Sequence, residues 1–123
     1  MEHLNRIELR GHIGNIRIFP VGDAKIARFS MATNASFRSQ SGGIVIETTW
    51  HNVSAWEGPD CRNLDQLRKG EAVYVQGRIR NQRYTASDGT ERSLYEVLAA
   101  KLEVLPKEAL DEQSIYQPKY YMP

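Results

Sequence analysis

Residues 58–84 read GPDCRNLDQLRKGEAVYVQGRIRNQRY. The first half has the marks of a short helix. Asp60 follows Pro59 and suits an N-cap, Leu64 and Leu67 stand three apart, Arg68 and Lys69 suit a C-terminal end, and Gly70 stops it. The second half has a period of two, with Val73, Val75 and Ile79 alternating against Tyr74, Gln76, Arg78 and Arg80. That is the pattern of a half-buried strand. A short helix leading into a strand decides the fold only together with its neighbours.

Upstream, Ile7, Leu9 and Ile13 alternate with Arg6, Glu8, Arg10 and His12, and Gly11 falls on the apolar side, where a curved sheet needs room. Turn chemistry closes this strand over Phe19–Asp23. A second strand, ARFSMATN, sets Ala27, Phe29 and Met31 against Arg28, Ser30 and Asn34. The polar segment 36–43, SFRSQSGG, reads as a flexible loop or hairpin tip, and a third strand runs from about Ile46 to Trp56. Downstream, Ser87–Asp88–Gly89–Thr90 is a hairpin signal. The fifth strand, residues 92–105, has a muddled alternation that predicts a bulge or two covered faces. The pattern is all-β: five strands with one short helix between strands 3 and 4, the plan of an oligonucleotide/oligosaccharide-binding (OB) barrel. An SH3-like barrel and a small open sheet also fit it.

The 123 residues suffice for one domain, expected over residues 1–107, with a short flexible tail over 108–123. A hydrophobic share of 41% and a charged share of 25% are those of a soluble globular protein. No apolar run suggests a membrane span, and the polar start MEHLNRIELRG does not read as a secretory signal. The single cysteine, Cys61, fits a reducing cytosol. The formal net charge is only +1, with the body slightly basic and the last sixteen residues slightly acidic. A polyanion would therefore need locally concentrated charge.

The segment ETTWHNVSAW, residues 47–56, carries the strongest chemical signal. Alternation places Trp50, Asn52, Ser54 and Trp56 on one face and His51, Val53 and Ala55 on the other. Two indoles on a polar face suit base stacking, which is tolerant of sequence because every base has a π face. Packing under a loop or in a subunit interface is the alternative. Tyr84 ends a strand whose polar face holds Arg78 and Arg80, beside Arg83, and Phe37 and Arg38 stand in the polar segment after the second strand. The histidines and Cys61 lack metal-ligand spacing, and no nucleophile motif or phosphate loop is present, so neither an enzyme nor a cofactor is expected.

The stretches NRIELRGHIG, ARFSMATNASFR, ETTWHNVSAW, LRKGEAVYVQGRIR and RSLYEVLAAKLEVL, in this order and spacing, resemble the bacterial single-stranded DNA-binding protein (SSB) family from about Asn5 to Leu105. The resemblance implies an OB fold that assembles as a homotetramer, with a dimer as runner-up, and wraps single-stranded DNA in replication, recombination and repair. It implies a cytoplasmic, nucleoid-associated protein. The family's stacking aromatics fall on Phe37, Trp50, Trp56 and Tyr84, and its basic DNA path on Arg38, Arg78, Arg80 and Arg83. Asn5, Ile7, Leu9 and His51 fall near subunit contacts. Two stretches depart from the family. Residues 14–22 are shorter than usual and lack the common Asp-Pro, and the end, SIYQPKYYMP, lacks the acidic tip on which replication and repair proteins dock. That docking is not carried over. A primosomal replication protein N-like dimer and a protein-interaction OB domain are the competing readings.

Overall fold

A computed structural model of the chain describes residues 1–106; the expected tail over 108–123 lies outside the described residues. Five strands occur in chain order: β1 (Ile7–Val21), β2 (Ala24–Arg38), β3 (Ile44–Trp56), β4 (Ala72–Thr85) and β5 (Glu91–Val104). They close into a barrel in the order β1-β2-β3-β5-β4. This is the expected five-stranded OB arrangement.

Closure depends on β1 serving two neighbours. Its residues Ile7–His12 pair antiparallel with β4, while His12–Val21 pair antiparallel with β2. Just after the changeover the strand carries a bulge, where Gly14 and Asn15 together oppose Ser30. The Ser30 hydroxyl accepts the Asn15 N–H at 3.0 Å, so the irregularity leaves no orphan donor there. Gly11 is closely overlaid by β2, since a Cβ on it would come within 2.0 Å of the Ala32 carbonyl oxygen.

A second bulge explains the muddled pattern of β5. Gln76 pairs with Lys101 but Gly77 pairs with Ala99, leaving Ala100 without a partner. Val97 and Ala99 face the core before the bulge and Leu102 after it, so the apolar phase slips by one residue. Gly77 itself is closely overlaid, since a Cβ would meet the Leu98 oxygen at 1.9 Å.

The core combines Ile13, Ala27, Phe29, Met31, Val53, Ala55, Val73, Val75, Val97 and Leu102 from the strands with Cys61, Leu64 and Leu67 from the β3–β4 connection. That connection contains less helix than expected, a single 3-10 turn at Leu64–Gln66. Asp60 does not cap it. The Cys61 N–H is bound to the Gly58 carbonyl, and the Asp60 carbonyl accepts the Leu102 N–H, so the backbone is engaged before a helix could start. Asn63 then takes a left-handed conformation, φ 59°, at the cap position. Spacing of three puts Cys61, Leu64 and Leu67 inside, where a plug needs them.

The expected loop over 36–43 is also shorter. Ser36, Phe37 and Arg38 are the last residues of β2, paired with Ile46, Val45 and Ile44. The β-branched run Ile44–Ile46 favours strand, so the turn shrinks to Ser39–Gly43, with Gly42 at φ 89°. The second hairpin turns where expected: Asp88 accepts from the Thr90 N–H at 3.0 Å, and Gly89 takes φ 84°. The two hairpins, β2–β3 and β4–β5, meet in parallel only at Val53–Ala55 against Val97–Ala99. Beyond that short seam they separate as two arms.

Candidate nucleic-acid interface

Strand alternation sorts the candidate residues by face. The core residues Val53 and Ala55 fix the inner side of β3, so Trp50, Asn52, Ser54 and Trp56 point outward. Register carries that outer face across the sheet. Trp56 lies opposite Ile26, Trp50 opposite Ala32 and Arg38 opposite Ile44. On the second arm Arg78 lies opposite Leu98, Arg80 opposite Glu96 and Tyr84 opposite Arg92. Ile26 and Ala32 are only 2% and 1% exposed although they face outward. Trp56 is 47% exposed and Tyr84 44%. One surface thus gathers both tryptophans, Tyr84, Arg38, Arg78 and Arg80.

Phe37 and Arg83 do not share that surface by alternation. Phe37 pairs with Val45, in phase with Thr33 and Met31, and Arg83 pairs with Ser93, in phase with Ile79. Each lies on the reverse side of its arm, near the tip, and Phe37 is 49% exposed there.

The centre of the outer face holds a group the sequence reading passed over. Glu96 is 6% exposed. Its Oε1 accepts the Nε–H of Arg80 at 2.8 Å and also an Nη2–H, while its Oε2 accepts the Ser54 hydroxyl at 3.1 Å. One carboxylate thus ties β5 to β4 through Oε1 on the Arg80 guanidinium and to β3 through Oε2 on the Ser54 hydroxyl. The Arg80 side chain is part exposed, but its charge is locally matched. A lone carboxylate in LYEVLAA was the available signal. The bulge at Ala100 hid its register with Arg80, because counting back from the strand end gives the wrong partner.

Of the expected contact residues, Asn5 acts within the chain. Its side-chain amide donates to the Ile79 carbonyl at 2.7 Å and accepts the Ile79 N–H at 3.0 Å, extending the β1–β4 ladder by one mock pair. Leu9 packs against the core. Ile7 and His51 line one cleft of about 380 Å³ with Trp50, Ile79 and Tyr95, where the two arms separate. His51 Nε2 lies 2.8 Å from the Thr33 hydroxyl, and burial holds its imidazole below the usual histidine range. Cys61 is buried, which pushes its thiol up, with Asp60 adding to the effect. Among the described residues no three His, Cys, Asp or Glu side chains are grouped to hold a metal ion, and no helix is long and apolar enough to cross a membrane.

The family model for the single-strand binding protein family matches residues 4–105. The chain belongs to that family. Among curated relatives, a single-stranded DNA-binding protein of Neisseria meningitidis is 33% identical over 105 residues, covering 83% of this chain and 60% of the relative. One of Xylella fastidiosa is 30% identical over 105 residues, covering 83% and 63%. The chain thus spans about 60% of the length of the relatives it matches. Among solved structures, the Plasmodium falciparum SSB complex with ssDNA superposes with a TM-score of 0.72 at 28% identity, covering 86% of this chain and 98% of that one. Family membership and barrel geometry agree.

Proposed function

We propose that the chain binds and protects single-stranded DNA with little regard to sequence, in replication, recombination and repair, and catalyses no reaction. The observation that carries this is the outer face: an indole left half in water beside Arg78 and Arg80, on a surface continuous with Trp50, Arg38 and Tyr84. Leaving aromatic area in water is costly, whereas stacking on it is worth about 1–3 kcal/mol per base. The ssDNA in the Plasmodium falciparum complex and the names of the relatives support the same reading. Bases stack on Trp50, Trp56 and Tyr84 across the outer face. Phe37 and Arg83, on the reverse of the arm tips, meet a strand that wraps around them.

Wrapping needs more than one barrel, and the proposed assembly is a homotetramer, with a dimer as runner-up. Strand β1 supports it, because among the described residues Ile7–Gly11 pair on one edge only, with β4, and strand addition could use the other. The test is a titration with oligo-dT, following Trp fluorescence while light scattering gives the mass of the assembly. Quenching by oligo-dT with poor competition from duplex is expected. Unchanged fluorescence together with no gel shift at low salt sinks the proposal, and a monomer at micromolar concentration sinks the assembly.

A further inference from the structure

A second cleft, of about 650 Å³, opens on the outer face beside Trp56. Its size is within the range of small-ligand sites. It is lined by Leu4, Asn5 and Arg6 of the segment before β1, by Arg78 and Arg80 of β4 beside that segment, by Leu98 of β5, and by Trp56 of β3 beyond β5. We propose that this cleft seats one nucleotide of the bound strand, its base between the Leu4 side chain and the Trp56 indole and its phosphate among the arginines. This rests on the single-stranded DNA reading and adds residues that reading does not use.

Three observations converge. The segment is held in place, since the amide of Asn5 grips both backbone groups of Ile79. Leu4 is 87% and Trp56 47% exposed, so two apolar groups lining one cleft stand in water. A flat base between them would shield both. Three arginines line it; Glu96 matches Arg80, whereas Arg78 has no ion-pair partner among the described residues and suits an anion. Arg6 meets Glu8 at 3.4 Å in an exposed pair, the kind that contributes little and yields readily to a phosphate. A second copy of the chain is the less favoured occupant, because a two-fold contact there would oppose the arginines to their own copies.

The experiment measures affinity for labelled oligo-dT by anisotropy in wild type, Leu4→Ala, Trp56→Ala and the double variant, with the assembly mass followed throughout. Leu4 is too exposed for its truncation to threaten folding. We expect Leu4→Ala to weaken binding about three- to tenfold, less than loss of an aromatic platform, and the double variant to bind no worse than Trp56→Ala. Asn5→Ala should weaken binding without altering the salt slope, since no charge is lost. Wild-type affinity in Leu4→Ala, or losses that multiply independently in the double variant, overturns the pocket while an effect of Trp56→Ala alone leaves the parent reading standing. A change of assembly mass in Leu4→Ala overturns it as well, and assigns the segment to a subunit contact. Absence of oligo-dT binding by wild type overturns both readings.

Discussion

Arg78 and Arg80 stand two residues apart on the same face, yet they offer different things to a polyanion. Arg78 has no carboxylate partner among the ion pairs of the described residues, whereas Arg80 is matched by Glu96. Arg78→Ala should lower the slope of log K against log salt by about 0.7, the single-strand value per phosphate. Arg80→Ala should lower it by less, and should reduce stability by about 1–3 kcal/mol because it strands a buried carboxylate. Adding Glu96→Gln should recover part of that loss in a urea melt; no recovery would show that the pair does not hold the face together. Trp56→Ala and Tyr84→Ala should each weaken oligo-dT binding by about 1–3 kcal/mol with the salt slope unchanged. An equal slope change in all four variants would mean that stacking and charge are not separate contributions here. The outward tryptophans were legible because β3 alternates without interruption, so parity could be counted along a single strand. Glu96 was not legible, because its meaning depends on a partner in another strand and on a bulge between them.

The irregular points of the strands decide how far the sheet can close. Gly11 sits against the Ala32 carbonyl with no room for a methyl group, and the obstruction is backbone. Gly11→Ala should therefore cost about 3 kcal/mol, the upper part of the overpacking range, or block folding. A melting midpoint within a degree or two of wild type would show that β1 can move aside. The room needed at Gly11 was readable from its place on the apolar side of the first strand. The connection after β3 was less readable. Leu64 and Leu67 stand three apart as a helix would have them, but the same spacing serves a buried plug with one 3-10 turn. Which of the two forms is settled by the Leu102 N–H reaching the Asp60 carbonyl, a long-range bond that local propensity does not encode. The strand character of Phe37 and Arg38 was masked by a polar composition, and it comes from the Ile44–Ile46 run across the turn.

At the scale of the whole molecule, His51 links stability to mild acid. Its folded pKa lies below the ordinary value near 6.5 because the ring is partly buried, so the unfolded chain takes up the proton more readily. The stability gained by keeping the ring neutral is complete above about pH 6.5 and is lost as pH falls below it. Between about pH 7.5 and 5.5, His51→Gln should lose less of its melting temperature than wild type; parallel curves would show that the ring is not what acid attacks. His51→Tyr should weaken assembly if the cleft with Ile7 and Tyr95 meets another subunit, and an unaltered dissociation curve would place the contact elsewhere. The barrel as a class was legible because five strand patterns and one plug fit few closures. How the two arms separate was not, because that follows from pairing between strands distant in the chain. The join between those arms is only three residue pairs long. In hydrogen-exchange terms it is the place where the barrel should open at least cost, short of global unfolding. A ligand spanning both arms bridges that join from outside, so oligo-dT should slow exchange of the amides at Val53–Ala55 and Val97–Ala99 more than those of the β1–β2 ladder. By the same linkage, anything that pries the arms apart should release the strand.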